Sequence, residues 1–379
     1  MKEALVIGGS NGIGLSLTLE LLSQNCHVNI VDRDENHVLE TCENVSFQRV
    51  NLLDDDYSWL SGYNQIDTLV ITAGFGRICG FDDLLESEIQ NSFLVNSMSP
   101  VKVLHHFFPR MKQKDKFHCA VMGSIAGMLS SPLIALYGAT KAALCSVTES
   151  LNIELEMAGT GNRILNDSPG FIKGTRFYGG QNDVSATKDL ARDIIRHMLA
   201  GDELFIPHYD DVYHDVLERY HHDPHRFGVE SYQYKLSGGR LSKTPQLKIG
   251  YLSGTFDLFH IGHLNLLRRA KQYCDYLVVG VHRDASHKGK EAFIPFDERV
   301  EIVKGVRYVD QVIQAEKEDS DVYTKGLVQY DYLFVGSDYK GTERFNRYEA
   351  YFADKGVKIV YFPYTKETSS TQLREALRK

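Results

Sequence analysis

Twice in this 379-residue chain a short apolar run leads straight into a turn suited to phosphate, and then into a helical pattern. Residues 4–7 lead through Gly8-Gly9-Ser10-Asn11-Gly12-Ile13-Gly14 to a helical run ending at Leu22, and a second strand, residues 28–31, ends in Asp32. In the last third, residues 248–253 lead through Gly254-Thr255-Phe256-Asp257-Leu258-Phe259-His260-Ile261-Gly262-His263 into helical periodicity from Leu264 to Tyr273. Such a unit leaves few folds open. Glycines let the backbone approach a ligand, the helix start offers unbonded N–H groups and a positive dipole end, and the strand needs parallel neighbours. Two of these units predict an α/β protein with two doubly wound parallel-sheet domains in tandem.

The length suits two domains, each able to bury its own core. With 43% hydrophobic and 24% charged residues the chain is in the ordinary globular range, and a net charge of −8 argues against a nucleic-acid partner. No apolar run approaches the roughly 18–20 residues that span a bilayer, and Met1-Lys2-Glu3 runs directly into a strand. A cytoplasmic protein without membrane insertion is therefore expected, as a homo-oligomer acting on small molecules. The six cysteines (Cys26, Cys42, Cys79, Cys119, Cys145, Cys274) lack CxxC or metal-ligand spacing and read as reduced, mostly buried thiols; no metal site of protein ligands is expected. Residues 1–236 form the first expected domain, the Gly/Ser-containing stretch 237–246 a linker, and 247–379 the second domain. Residues 210–234, rich in Tyr and His, read as a terminal helix bordering the first domain's pocket rather than a metal cluster.

Chemistry-bearing residues follow in order along the first domain. Asp32 lies 18 residues past Gly14, where a carboxylate accepts ribose hydroxyls and repels a 2′-phosphate; Arg33 beside it would accommodate that phosphate, which leaves NADH and NADPH both open. Tyr137 and Lys141, four apart, share one helix face, so an ammonium lies near a phenol and lowers its pKa. Alone, that spacing is a frequent surface pair. Here it stands in register with Asn51-Leu52, Ile71-Thr72-Ala73-Gly74, Asn96, Ser124 and Pro169-Gly170-Phe171-Ile172.

Together with the Gly-x-x-x-Gly-x-Gly spacing, these residues resemble the short-chain dehydrogenase/reductase family over roughly residues 1–235. The resemblance implies a Rossmann-like fold and NAD(P)H bound by Gly8, Ser10, Asn11, Gly12, Ile13, Gly14, Asp32, Arg33, Asn51, Leu52, Ala73, Gly74, Tyr137, Lys141, Pro169 and Ile172. It further implies that Tyr137 exchanges the proton, Ser124 holds the substrate oxygen, Lys141 supports both phenol and ribose, and Asn96 orders a relay water. Asn51 stands in place of the usual Asp, Ile71-Thr72 replace two asparagines, and the loop from Phe171 to Thr175 is one residue longer than the common pattern.

The segment from Gly254 to His263 resembles the signature of glycerol-3-phosphate cytidylyltransferase-like nucleotidyltransferases, which join CTP to a phosphorylated alcohol. That resemblance covers the last third of the chain. It implies CTP bound by Gly254, Thr255, Phe256, Asp257, His260, His263, Lys288, Lys290, Arg299, Asp338, Ser369, Ser370 and Thr371, with His260, His263 and Lys290 stabilising the transition state and Mg²⁺ bridging phosphate oxygens. Tyr364 stands where the family pattern has an arginine, with Lys366 two residues on. The expectation is bifunctional CDP-polyol synthesis, a sugar phosphate being reduced and the polyol phosphate then activated. Two rivals are a cytidylyltransferase with a non-catalytic reductase-like domain, and a reductase acting on the CDP-linked product.

Overall fold

The computed structural model describes the chain except residues 55, 176, 178–182, 240, 242–247, 285–291, 364–372 and 374–379, with backbone alone at residues 40 and 41. It divides into two compact units, Met1–Thr244 and Pro245–Lys379. The first unit runs β1 (Glu3–Ile7), α1 (Gly12–Ser23), β2 (His27–Asp32), β3 (Val45–Arg49), β4 (Thr68–Ile71), α2 (Glu86–Phe93), α3 (Ser99–Met111), β5 (His118–Met122), α4 (Ala135–Met157), β6 (Ile164–Asp167), α5 (Val184–Ala200), β7 (Leu204–Phe205), α6 (His214–His222) and α7 (Pro224–Ser237). All pairings are parallel, in the order β3-β2-β1-β4-β5-β6-β7.

Period-two alternation sends successive residues of each central strand to opposite faces, and here both faces are covered. Leu5, Ile7, Leu69, Ile71 and Val121 pack with Val103, Leu104 and Phe107 of α3 and Leu144 and Leu155 of α4. Ala4, Val6, Val28, Ile30, Val70 and Leu165 pack with Leu15, Leu17 and Leu21 of α1 and Ile194, Ile195 and Met198 of α5. Each such side chain contributes about 1.5–3 kcal/mol of burial. The connections reverse direction between β1 and β4, and a ligand crevice opens beyond the carboxyl ends of strands at such a switch point.

Residues 210–234 form two helices rather than the single terminal helix expected. Pro224 lacks an N–H and pushes the preceding residue out of helical geometry, so Asp223 (φ −149°, ψ 86°) ends α6 and caps α7 by accepting from Arg226 N. All six cysteines are free thiols, four of them buried. Among the described residues no helix is long and apolar enough to cross a membrane.

The second unit runs β8 (Ile249–Gly254), α8 (Ile261–Lys271), β9 (Tyr276–Val281), α9 (Phe296–Lys304), β10 (Gln311–Gln314), α10 (Asp319–Thr324), β11 (Tyr332–Gly336), α11 (Glu343–Phe352) and β12 (Lys358–Phe362). Its five strands are parallel, in the order β10-β9-β8-β11-β12, so β8 is the switch point. Leu252, Val279 and Val281 face one core with Leu267 and Val303; Tyr251, Val278 and Leu333 face the other with Val322, Phe345 and Phe352.

Candidate active sites

In the first unit the glycine loop closes against the end of β4. Gly8 has φ +87°, and a Cβ there would lie 2.6 Å from Ala73 N; one on Gly14 would collide with the Gly8 carbonyl. The near contact is stitched by Thr72 N and Ala73 N donating to Ile7 O (2.8 and 3.1 Å) and by Thr72 Oγ1 donating to Gly8 O (3.0 Å). Thr72, in place of the usual asparagine, thus serves as a backbone clamp. Asp32 accepts from Ser10 N (2.9 Å) and Arg33 N (2.7 Å), while the exposed Arg33 side chain pairs with Asp34 at 3.3 Å. Asn51 turns back to accept from Leu53 N (3.2 Å), opening a short helical turn at Leu52. Ser10 Oγ is buried with no hydrogen-bond partner at the mouth of α1, an orphaned hydroxyl of the kind a polar ligand satisfies.

Beyond the loop lies a cavity of ≈ 320 Å³, lined by Asn11, Gly12, Ile13, Gly14, Gly74, Ser124, Tyr137, Lys141, Pro169 and Ile172 among others. The structure brings these ten expected residues around one space, whereas Gly8, Ser10, Asp32, Arg33, Asn51, Leu52, Ala73 and Asn96 are not on its lining. Lys141 is buried, donates to Met122 O at 2.7 Å and places Nζ 5.7 Å from the centre of the Tyr137 ring. Burial brings its ammonium down to about 8, against the opposing pull of Cys145 and Asp167. Ser124 caps the turn after β5, accepting from Ala126 N at 3.2 Å and donating to Pro169 O at 3.4 Å. Asn96 sits on a π-turn, Leu94–Met98, between α2 and α3. Its amide is locked, with Oδ1 accepting from Phe75 N (2.9 Å) and Nδ2 donating to Phe75 O (2.8 Å) and Thr140 Oγ1 (3.1 Å). A π-turn in a long helical run is uncommon and recurs at functional sites.

Sequence reasoning passed over Asp167, which follows Asn166 at the end of the buried strand β6. It is buried, neither carboxyl oxygen has a hydrogen-bond partner, and burial raises its pKa well above the ordinary value while Lys141 pulls it down. The readable signal was a carboxylate closing the short strand opened by Ile164 and Leu165. Lys235, Tyr213 and Tyr234 were passed over as individual cavity residues too, although all three line it.

In the second unit His260 is the N-cap of α8 and His263 its third residue, rather than both lying within the first helical turn. His260 Nδ1 accepts from Gly262 N (3.1 Å), His263 Nδ1 accepts from His260 N (3.4 Å), and the rings stack at 4.0 Å. With both Nδ1 atoms accepting, the neutral rings carry their protons on Nε2. Burial lowers the His260 pKa, which favours that neutral form. The turn before them is strained, since Phe256 and Leu258 have φ of 52° and 49°. A Cβ on Gly254 beneath it would lie 3.0 Å from the Phe256 ring, so the ring would have to give way.

Two expected nucleotide ligands have other work. Arg299 is 1% exposed and donates to four main-chain carbonyls: Ile294 (2.9 Å), Thr255 (2.5 Å), His282 (2.8 Å) and Arg283 (2.8 Å). A guanidinium so occupied braces the loops under the site. Asp257 likewise accepts from Phe293 N (3.1 Å) and Ile294 N (2.9 Å), holding the chain that leads into α9. Thr255 Oγ1, by contrast, is buried without a partner, and Asp338 is exposed just past β11. Lys288, Lys290, Ser369, Ser370, Thr371, Tyr364 and Lys366 lie outside the described residues. At the same sheet end, Ser253 Oγ donates to the buried Asp319 (2.5 Å), which Arg344 approaches at 3.4 Å.

The family model for short chain dehydrogenases matches residues 2–184, and that for cytidylyltransferase-like proteins matches residues 251–376. Glycerol-3-phosphate cytidylyltransferase of Bacillus subtilis is 36% identical over 129 residues, 33% of this chain and 92% of that protein. An uncharacterized oxidoreductase of Staphylococcus epidermidis is 27% identical over 181 residues, 45% of this chain and 78% of that protein. A solved short-chain dehydrogenase from Streptomyces avermitilis shares the fold, with TM-score 0.50 and 20% identity over 63% of this chain and 98% of its own.

Two expectations follow from the buried charges. Lysine cannot reproduce the guanidinium fork, so Arg299→Lys should destabilise the second unit by about 2–4 kcal/mol, as buried carbonyls lose donors. Urea unfolding tests this, with the fluorescence transition of Trp59, the chain's one tryptophan and a first-unit residue, staying in place. Burial holds the folded Asp167 carboxyl well above its ordinary value, so the unfolded chain releases this proton at lower pH, from about pH 4, and the cost grows as pH rises. Asp167→Asn should therefore raise the melting temperature at pH 8 and leave it unchanged at pH 4; a lower value at pH 8 would mean an ionised Asp167 paired with Lys141.

Proposed function

From a chain that belongs to the cytidylyltransferase-like family in its second unit and to the short-chain dehydrogenases in its first, we propose an enzyme making CDP-polyols in two steps. The first unit reduces a keto or aldehyde sugar phosphate with NAD(P)H, and the second transfers a cytidylyl group from CTP to the resulting polyol phosphate. Ribulose 5-phosphate, giving ribitol 5-phosphate and CDP-ribitol, is the favoured substrate, with glycerol 3-phosphate and a hexitol phosphate behind it. The observation carrying this reading is that Ser124, Tyr137 and Lys141 line one cavity of the first unit. A domain serving only to bind nucleotide has no need of a buried lysine beside a phenol, which disfavours a transferase with an inert partner.

The Gly8–Gly14 loop and Asp32 would hold a dinucleotide, which when bound would supply hydride to the carbonyl carbon. Tyr137 gives the oxygen its proton, Ser124 Oγ holds that oxygen, and the Lys141 ammonium stabilises the phenolate left behind. In the second unit the acceptor's phosphate oxygen attacks the α-phosphorus of CTP and pyrophosphate leaves. His260 and His263 present Nε2–H donors to charge building on the phosphorus oxygens, Thr255 Oγ1 offers a buried hydroxyl, and catalysis is positioning plus charge stabilisation. Mg²⁺ accompanies the triphosphate as its counter-ion.

Tyr137→Phe should abolish NAD(P)H oxidation by ribulose 5-phosphate while CTP-dependent pyrophosphate release on ribitol 5-phosphate continues. In the wild-type enzyme, ketone reduction should decline on the alkaline side with an apparent pKa near 8, the value to which burial brings the Lys141 ammonium. His263→Ala should lower kcat for CDP-polyol formation by ~10²–10³ with a much smaller change in KM for CTP, since a donor acting in the transition state is lost. Near wild-type turnover would reduce the histidine pair to a helix cap.

A further inference from the structure

The reductase cavity contains a second buried cation that proton and hydride transfer do not use. Lys235, in the last turn of α7, is 8% exposed and lines the cavity with Ser131, Tyr213 and Tyr234. Its Nζ donates to Ser131 Oγ (2.6 Å), Pro132 O (2.8 Å) and Ser231 Oγ (2.9 Å). Taking an ammonium out of water is costly, and a purely structural α7 contact is made as well by an apolar side chain. The described cavity wall holds two ammonium groups, Lys141 and Lys235, and no carboxylate; the remainder is largely apolar, with Ile78, Ile125, Leu129, Ile134, Phe171 and Phe177. Such a wall attracts an anion and gives it one obvious partner beyond the proton-transfer pair.

We propose that Lys235 recognises the anionic end of the reductase substrate, a phosphate monoester carried on a polyhydroxy ketone or aldehyde whose carbonyl meets Ser124 and Tyr137. This rests on the reading of the first unit as a sugar-phosphate reductase and names the residue that selects the phosphorylated substrate. Ser131 supports the assignment, because its hydroxyl touches Nζ and also faces the cavity, ready to rotate and donate to a phosphate oxygen. Tyr213 secures the same wall. A Cβ on Gly170 would collide with the Tyr213 hydroxyl, so the segment entering α6 is seated on the Pro169–Ile172 loop.

The test compares kcat/KM for D-ribulose 5-phosphate and unphosphorylated D-ribulose in the full-length wild type, Lys235→Met and Lys235→Arg, with inorganic phosphate as inhibitor. The wild type should prefer the phosphorylated ketone, and phosphate should compete with D-ribulose. Lys235→Met should collapse the preference by roughly 10- to 100-fold, mainly through KM, the worth of a hydrogen bond to a charged group; Lys235→Arg should retain most of it. Dinucleotide affinity in both variants certifies the fold. A wild type that prefers the phosphorylated ketone, with a Lys235→Met variant that keeps the preference, overturns the role of Lys235 and leaves the sugar-phosphate reading standing. A wild type that shows neither preference nor phosphate inhibition overturns both. If Lys235→Met does not fold, the arginine variant and the phosphate inhibition decide the matter.

Discussion

In both units a buried cation donating to main-chain carbonyls at the carboxyl ends of parallel strands holds the site together. In the first unit Lys141 reaches Met122 O at the end of β5; in the second Arg299 gathers the carbonyls of Thr255, His282, Arg283 and Ile294. Parallel strands end with carbonyl groups pointing toward the crevice, and these need donors where water is excluded. A lysine or arginine on the following helix satisfies them and brings positive charge to the place where anionic ligands arrive. The two cations differ in what remains available. Lys141 keeps its ammonium beside Tyr137, whereas the Arg299 guanidinium is committed to the backbone at Nε and both terminal nitrogens.

The same economy explains the strain in the second unit. Phe256 and Leu258 occupy left-handed geometry at a cost of order 1–3 kcal/mol each, and Asp257 between them anchors the turn to Phe293 and Ile294. The strained turn delivers His260 to the N-cap position, where its ring stacks on His263. The acid that reads in sequence as a ligand is thus also the fastener of the turn that leads to the histidines. In the first unit, the Gly8–Ala73 approach plays the corresponding part, because only a residue without a Cβ lets the phosphate loop lie on the end of β4.

If the two activities act in succession as proposed, phosphate recognition would be needed twice, by Lys235 in the first unit's cavity and by the acceptor site of the second unit. Selecting a phosphorylated sugar at the first step would ensure that what leaves the first unit carries the nucleophile the second requires.

Much of this protein is written locally. Strand runs such as residues 4–7 and 276–281 are apolar because both faces of a parallel sheet are buried, glycines mark the positions where chain meets chain, and Tyr137 with Lys141 announces a helix face. Such features depend on near neighbours, so the sequence alone carries the α/β class, the two-unit division and part of the lining of the first unit's cavity. The roles of Arg299, Asp257, Asp167 and Lys235 were decided elsewhere. Each is a charged residue whose meaning depends on what packs around it from distant segments: four carbonyls for Arg299, two amides for Asp257, an apolar core for Asp167, and the Ser131–Pro132 turn for Lys235. Charge is visible in a sequence, but whether that charge faces a ligand or the chain itself is set by burial and by partners brought together only when the sheet closes.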